Sequence, residues 1–567
     1  MTAEAGVNGK DKAAARGAGL KFFGIFPFPL CLGLVLFAAS MAPSLIPRGW
    51  VLQGILAGLV MAIGYLIGRF GVSLWNALQI PPLARRWSVS LAGLASISSV
   101  GLLVWSLAMS ANWQNSIRQR VDMEVVDGFH TGAIVFVALS VFLCLFLLGL
   151  GVQWVYDLLR SRLYRLIPRH SANTAGFILV VALLFILTRD GLVARTMDFL
   201  DSSYETAQEL FATAPMPPED GSLPGGPGSF VDWGAMGQPG RDFVLAGPDA
   251  AAITAFTERP AKDPIRVYVG RAQADDPEGR AVAALEELIR LGGFERGAIV
   301  VASPTGTGWL DPGGHDPMEF MLDGDVATVA VQYSYLQSPL ALVFETNAGL
   351  DQATATMRAV YDHWRSLPSD SRPEFYMHGI SLGAWSSMYS FDIFAMVNDP
   401  INGAFWAGPP FPSDLWQRAI RARNPGTPYV LPEVGTGKLV RFLSQYKGAD
   451  RAVADWGILR VAFLQYASDP IVFYEPASLW RAPEWMREPP AADVSPDLIF
   501  VPVVTQLQLA LDMALSTALP QGYGHNYVAE HYIDGWVEIL QPTPWTGADT
   551  VRLKEICSLD WGLGCKN

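Results

Sequence analysis

A chain of 567 residues is long enough for roughly two or three domains, and its composition, 51% hydrophobic and 16% charged with a mean hydropathy of +0.25, lies between that of a soluble enzyme and that of a pure membrane protein. A formal net charge of -13, with no clustered stripe of Lys and Arg, excludes a nucleic-acid footprint. Cysteine spacing is wrong for zinc, since no CxxC or Cys/His pattern occurs, and neither metal nor cofactor is expected.

The apolar excess lies before about residue 190 and the acidic excess after it. Crossing ~30 Å of hydrocarbon takes about 20 mostly apolar residues. Stretches near 22–41, 50–70, 89–111, 131–156 and 173–188 offer them, which predicts an all-α transmembrane helical bundle of about five spans within residues 1–200. Pro27 and Pro29 blur the start of the first span. Orientation follows from basic residues in short loops. Lys10, Lys12, Arg16 and Lys21 precede the first span, Arg69, Arg85 and Arg86 follow the second, and Arg160, Arg162, Arg165 and Arg169 follow the fourth, so these loops are expected in the cytoplasm. The intervening loops are weaker, with Arg48 in one and Arg118 and Arg120 offset by Asp122, Glu124 and Asp127 in the other. A chain that starts inside and crosses an odd number of times ends outside. The later part is therefore expected to be extracytoplasmic, where Cys557 and Cys565 are candidates for a disulfide.

Residues 201–240 read as a linker, because from Ala214 onward they are too rich in Pro and Gly for a helix or a central strand. From 241 to 567 the pattern becomes short β-rich runs alternating with helical stretches, the mark of a largely parallel sheet covered on both faces. Candidate strands are 265–270, 297–303, 326–333, 374–379, 402–408 and 461–467, and candidate helices 278–291, 349–366, 383–397, 412–423 and 527–539. The stretch 409–457, with Trp416 and Trp456, interrupts the alternation. It is expected either to cap the pocket as an apolar wall or to dock onto the core through its aromatic residues.

Chemistry is carried first by Gly379-Ile380-Ser381-Leu382-Gly383, placed after an apolar strand and before a helical segment. That is the context of a nucleophile elbow, in which a strained turn lifts the serine and Gly379 and Gly383 let neighbouring backbone approach. A serine hydroxyl needs a base, and in the elbow's fold the chain order is Ser, acid, His. Downstream of the elbow stand His525, in a Gly-Tyr-Gly-His-Asn-Tyr loop, and His531, which falls within a helix and is expected to cap or pack. Asp469 follows a strand and precedes Pro470, which suits the acid better than Glu475, Asp493 or Asp497. Donors for a developing oxyanion are expected at the backbone N–H of Leu382 and in the loop 303–309, at Thr305 or Gly306. His378 is expected to pack, and His315 with Asp316 to form a surface turn.

GISLGA at 379–384, VASPTGTGW at 301–309, YASDP at 466–470 and GYGHNY at 522–527 give the chain a likeness. It resembles a bacterial family of membrane-anchored α/β-hydrolases, the alpha/beta-hydrolase 9 family, with a multi-span N-terminal domain and a C-terminal catalytic domain. The resemblance implies an α/β-hydrolase fold and a triad of Ser381, Asp469 and His525. The expected activity is hydrolysis of carboxylic esters, of lipid or acylated envelope substrates, at the bacterial cell (inner) membrane. Acyl transfer through the same acyl-enzyme is an alternative, as is a membrane scaffold with a vestigial hydrolase domain. The expected partners are the lipid bilayer and the acyl-ester substrate.

Overall fold

The computed structural model describes residues 27–81, 84–164, 168–186, 216–336, 341, 346–392, 394, 396–446, 454–557 and 564–565. The basic residues from Lys10 to Lys21, Arg165, the last residues of the fifth apolar stretch and positions 201–215 of the linker lie outside the described residues. The chain forms two compact units. One comprises Met1–Arg189 and Glu475–Asp512, the other Asp190–Tyr474 and Met513–Asn567.

The first unit contains α1 (Pro27–Ser40), α2 (Trp50–Ala77), α3 (Arg85–Arg118), α4 (Thr131–Leu163) and α5 (Arg169–Ile186). Among the described residues, three helices are long and apolar enough to cross a membrane: Trp50–Ala77, Arg86–Arg118 and Thr131–Leu163. The stretch expected to form the first span gives α1, an apolar helix of only 14 residues. Small residues let α2 lie close to two neighbours. A Cβ on Gly58 would stand 2.5 Å from the Ala138 carbonyl oxygen of α4, and one on Gly64 would stand 2.9 Å from Gly33 Cα of α1. Large apolar side chains point outward instead, among them Phe70, Ile97 and Phe136.

The second unit is built on α6 (Gly237–Leu245), α7 (Ala250–Thr257), β1 (Ile265–Val269), α8 (Pro277–Arg290), β2 (Ala298–Ser303), α9 (Pro312–Met321), β3 (Val326–Val331), α10 (Thr346–Ser366), β4 (Glu374–Ile380), α11 (Leu382–Ser390), β5 (Gly403–Ala407), α12 (Asp414–Arg421), β6 (Val440–Leu443), β7 (Arg460–Leu464) and α13 (Pro470–Phe473). After α14 (Val504–Ala514), most of which belongs to the first unit, α15 (Ala529–Leu540) and α16 (Gly547–Cys557) complete it. Among the described residues the strands form one parallel sheet in the order β1-β3-β2-β4-β5-β7-β6. Strands buried on both faces read as unbroken Val, Ile and Ala runs, which is why the sequence exposes them so plainly. Helices α8, α10 and α11 pack together, and so do α9, α15 and α16.

Two expectations change. The stretch 409–457 supplies α12 and the sheet strand β6, and its tryptophans dock onto the core. Trp416 Nε1 donates to Gln465 Oε1 at 2.7 Å, and Trp456 Nε1 donates to Glu538 Oε2 at 3.2 Å beneath the Arg441 guanidinium. Both tryptophans are thus bonded to the body of the second unit. His315 and Asp316 are not in a surface turn either, but lie buried on α9. Asp311 caps that helix by accepting the Gly313 N–H, Pro312 starts it, and a buried cation holds it.

That cation is Arg266 of β1, whose Nε and Nη2 reach the two oxygens of Glu319 at 2.8 Å each and whose Nη2 also meets Asp316. The second oxygen of Asp316 accepts the Cys565 N–H at 3.0 Å, next to the Cys557–Cys565 disulfide. Burial pushes the Glu319 carboxyl up to about 7, with Arg266 pulling the other way. Removing one partner of such a buried set strands the remaining charges. The substitution Arg266→Met is therefore expected to destabilise the second unit by about 3–5 kcal/mol, read as a lower denaturation midpoint in urea.

Candidate active site

The strand β4 ends at Ile380, and the chain turns at once into α11. Ser381, the residue at the turn, has φ 58° and ψ -128°, a conformation that costs a residue with a side chain about 1–3 kcal/mol. Its N–H donates to the Ala407 carbonyl of β5 at 3.0 Å, which pins the strained residue to the neighbouring strand. Close approach explains both flanking glycines. A Cβ on Gly383 would stand 2.0 Å from the Ser303 carbonyl oxygen, and one on Gly379 would stand 2.6 Å from the Gly383 carbonyl carbon. The loop after β2 is thus pressed against the first turn of α11.

The candidate acid and base come from loops after β7 and before α15. Asp469 is fully buried at the start of α13, where Oδ1 accepts the Ile471 N–H at 2.9 Å. Its other oxygen, Oδ2, meets His525 Nδ1 at 2.7 Å and the Tyr527 hydroxyl at 2.8 Å. An ionised carboxylate only accepts, so the Tyr527 O–H and the His525 Nδ1–H both donate to it. With Nδ1 donating to Asp469, Nε2 is the ring nitrogen left to act as a base. Nε2 is buried, and among the described residues no hydrogen bond is completed to it, from Ser381 Oγ or from any other group. Catalytic hydrogen bonds of a ligand-free site commonly tighten only when substrate is bound.

Gly408 connects the two halves of this arrangement. It follows Ala407, the acceptor of the Ser381 N–H, and a Cβ there would stand 2.7 Å from His525 Cε1. Its φ of +52° also favours glycine. The His525 loop is held from below: the His525 N–H donates to the Ser516 carbonyl at 2.9 Å, and the Gly524 N–H donates to Ser468 Oγ at 3.0 Å.

For an oxyanion, the Leu382 N–H lies at the N-terminus of α11, directly after the serine. The Thr305 N–H is already donated to the Trp309 carbonyl at 3.0 Å, closing a turn in which Gly308 has φ 84°.

The remaining candidates sit elsewhere. His531 Nδ1 accepts the Tyr466 hydroxyl at 2.6 Å, and His378 Nδ1 donates to the Phe405 carbonyl at 2.7 Å, so both histidines are packed through their rings. Burial lowers each of them to about 4. Glu475, Asp493 and Asp497 belong to the first unit. No group of three or more potential metal ligands converges among the described residues. Tyr527 and Gly408 escaped the sequence reading, although Tyr527 stands two places after His525 and Gly408 directly after a strand.

Compared with known families, the chain matches the alpha/beta-hydrolase family over residues 265–553 and the alpha/beta-hydrolase family N-terminus over residues 41–248. The chain belongs to the alpha/beta-hydrolase 9 family. Ser381, Asp469 and His525 all fall within the hydrolase match, and so does the segment 475–512 that clusters with the helices. No curated protein and no solved structure gives a significant match.

Two outcomes are expected. A methyl at Gly408 collides with the imidazole, so Gly408→Ala is expected to lower ester turnover by about 10²-fold, measured as kcat at unchanged protein fold by circular dichroism. For His378 the folded value lies below the unfolded one of about 6.5, so its neutral ring supports the fold above that pH and the support is lost as pH falls toward about 4. The thermal midpoint of His378→Phe should accordingly drop less than that of the parent between pH 7 and pH 4.5, where "about 2.5 pH units" of acidification separate the two scans.

Proposed function

We propose that the protein is a membrane-bound serine hydrolase of carboxylic esters. In this reading Ser381 Oγ attacks the ester carbonyl while His525 Nε2 takes its proton, and Asp469 keeps the proton on Nδ1 and stabilises the imidazolium that forms. The Leu382 and Gly306 N–H groups receive the developing oxyanion. His525 then protonates the departing alcohol, leaving an acyl group on Ser381. Water, deprotonated by the same nitrogen, releases the acid and restores the serine. The observation that carries this reading is the buried, unpartnered Nε2 of His525, held by Asp469 and seated against the glycine that follows the Ser381 N–H acceptor.

Apolar helices long enough to cross a bilayer favour lipid or acylated envelope components as substrates, since a tethered site meets the membrane surface at high effective concentration. Tyr527 adds a third hydrogen bond to the carboxylate, which would hold Asp469 oriented while the imidazole cycles. The Cys557–Cys565 disulfide favours an oxidising compartment, with the N-terminus in the cytoplasm and the hydrolase unit outside the bacterial inner membrane. Transfer of the acyl group to an envelope alcohol differs only in the acceptor that replaces water.

A fluorophosphonate probe applied to membranes should label the full chain. Ser381→Ala is expected to abolish labelling and His525→Ala to slow it by about 10³-fold or more. Labelling retained in Ser381→Ala removes Ser381 from the role given to it. Adding a soluble alcohol during turnover then separates the acceptors, because acyl transfer yields a new ester where hydrolysis yields only acid.

A further inference from the structure

Asp469 and His525 stand 56 positions apart, and the chain between them passes through Glu475–Asp512, a segment that belongs to the first unit. A path of that kind does not fix the distance between acid and base. Contacts across the gap have to do so, and they form a ladder between residues 466–469 and 524–531. Ser468 Oγ accepts the Gly524 N–H at 3.0 Å, Asp469 Oδ2 accepts from His525 and Tyr527, and the Tyr466 hydroxyl accepts the Val528 N–H in a long bond of 3.4 Å. Every rung lies wholly inside the second unit.

Tyr466 is the side chain on which this ladder turns. It follows β7 closely and is fully buried. Its carbonyl accepts the Asp469 N–H at 3.0 Å, which closes the turn that presents the acid. Its ring stacks on Tyr527, with centroids 4.3 Å apart and planes 24° from parallel, and Tyr527 in turn donates to Asp469. The result is a closed circuit. Backbone joins Asp469 to Tyr466, stacking joins Tyr466 to Tyr527, and a hydroxyl joins Tyr527 back to Asp469. The base touches the same circuit, since the His525 ring meets Tyr527 edge to face at 5.6 Å. Gly408 admits both rings: a Cβ there would stand 2.7 Å from Tyr527 Cε2 as well as from His525 Cε1.

The Tyr466 hydroxyl is what holds its ring in place. It donates to His531 Nδ1 at 2.6 Å, and the two rings meet edge to face at 5.5 Å. Burial pushes the Tyr466 hydroxyl well above the ordinary phenol range and lowers His531 to about 4. Near neutral pH the phenol therefore keeps a proton to give and this imidazole keeps a lone pair to receive it. His531 lies on α15, three places after Val528, so one hydroxyl bonds two positions at the start of that helix. We propose that Tyr466 and His531 are positioning residues that lock the acid loop to the base loop, with Tyr527 as the link between them. The proposal rests on the hydrolase reading above. Two loops joined side to side move as one body, so the chain can leave for the first unit between acid and base without loosening their contact.

The test uses the full chain in lipid nanodiscs, with turnover of a soluble short-chain ester divided by serine titrated with fluorophosphonate. Tyr466→Phe keeps the stacked ring and loses only the hydroxyl. It is expected to lower kcat per titrated serine by about 10-fold with KM within about twofold. His531→Asn, which offers an amide oxygen near the place of Nδ1, should retain more of kcat than His531→Leu. Tyr361→Phe is the matched control: that hydroxyl donates to the Asp399 carbonyl at 2.8 Å, away from the ladder, and its loss should leave kcat per titrated serine unchanged. Because Tyr466 acts through Tyr527, the double variant Tyr466→Phe with Tyr527→Phe should lose less than the product of the two single losses. Hydrogen exchange gives a readout independent of activity: amides 466–469 and 525–528 should exchange faster together in Tyr466→Phe and at the parental rate in Tyr361→Phe. Unchanged kcat per titrated serine in Tyr466→Phe overturns the proposal, as does an equal loss in Tyr361→Phe. Absence of any probe reaction in the parent sinks the hydrolase reading instead, and the lock then stands or falls on whether both loops exchange faster in Tyr466→Phe.

Discussion

A side chain at positive φ, between a buried strand and a helix, is the constraint from which the rest of this site follows. Ser381 holds that conformation because its N–H is bonded to β5 on one side and because two glycines admit backbone on the other. Each of those contacts depends on the sheet: β4 must lie between β2 and β5 for the Ser303 carbonyl and the Ala407 carbonyl to reach the same turn. The strain is local, but the structure that sustains it is the whole seven-stranded order. Packing supplies this support in bulk. Phe405 and Trp536 meet edge to face beneath the elbow's neighbours, and Gly535 lies so near the Phe405 ring that a Cβ there would stand 2.1 Å away.

The parallel strands were legible because burial on both faces demands uninterrupted Val, Ile, Ala and aromatic residues, and six such runs stand out in the sequence at nearly their observed bounds. The strand β6 was not legible: Val440-Arg441-Phe442-Leu443 lies at the sheet edge, its first two residues only half-buried, in a region dense with Gly and Pro. Helix α9 was hidden by its composition, since Pro-Gly-Gly-His-Asp-Pro spells a turn until Arg266 of a distant strand neutralises the carboxylates that the helix presents. Local propensity was overridden there by a tertiary ion pair.

The site divides along the same line. Motif and chain order pointed to Ser381, Asp469 and His525, because the chemistry restricts residue type and the fold restricts succession. Residue types left Thr305 and Gly306 open, and the bond of the Thr305 N–H to the Trp309 carbonyl inside its own turn is not written in them. Gly408 and Tyr527 act by shape and by a single hydroxyl, neither of which leaves a pattern along the chain. The attachment of 475–512 to the helices was equally silent, for it relies on side-chain amides meeting backbone carbonyls and on scattered Leu and Val rather than on an apolar run.

The sheet-bearing unit is interrupted in sequence, and this bears on how the protein is made. A ribosome delivers the helices first, then the strands and the serine, then residues 475–512, and only afterwards the stretch that contains His525 and α15. Trp536 and Ile539, which pack against β5, therefore emerge after every strand of the sheet they cover. Until they do, Phe405 lacks the indole that meets it edge to face, so the β5 side of the sheet is completed only after residues 475–512 have been made.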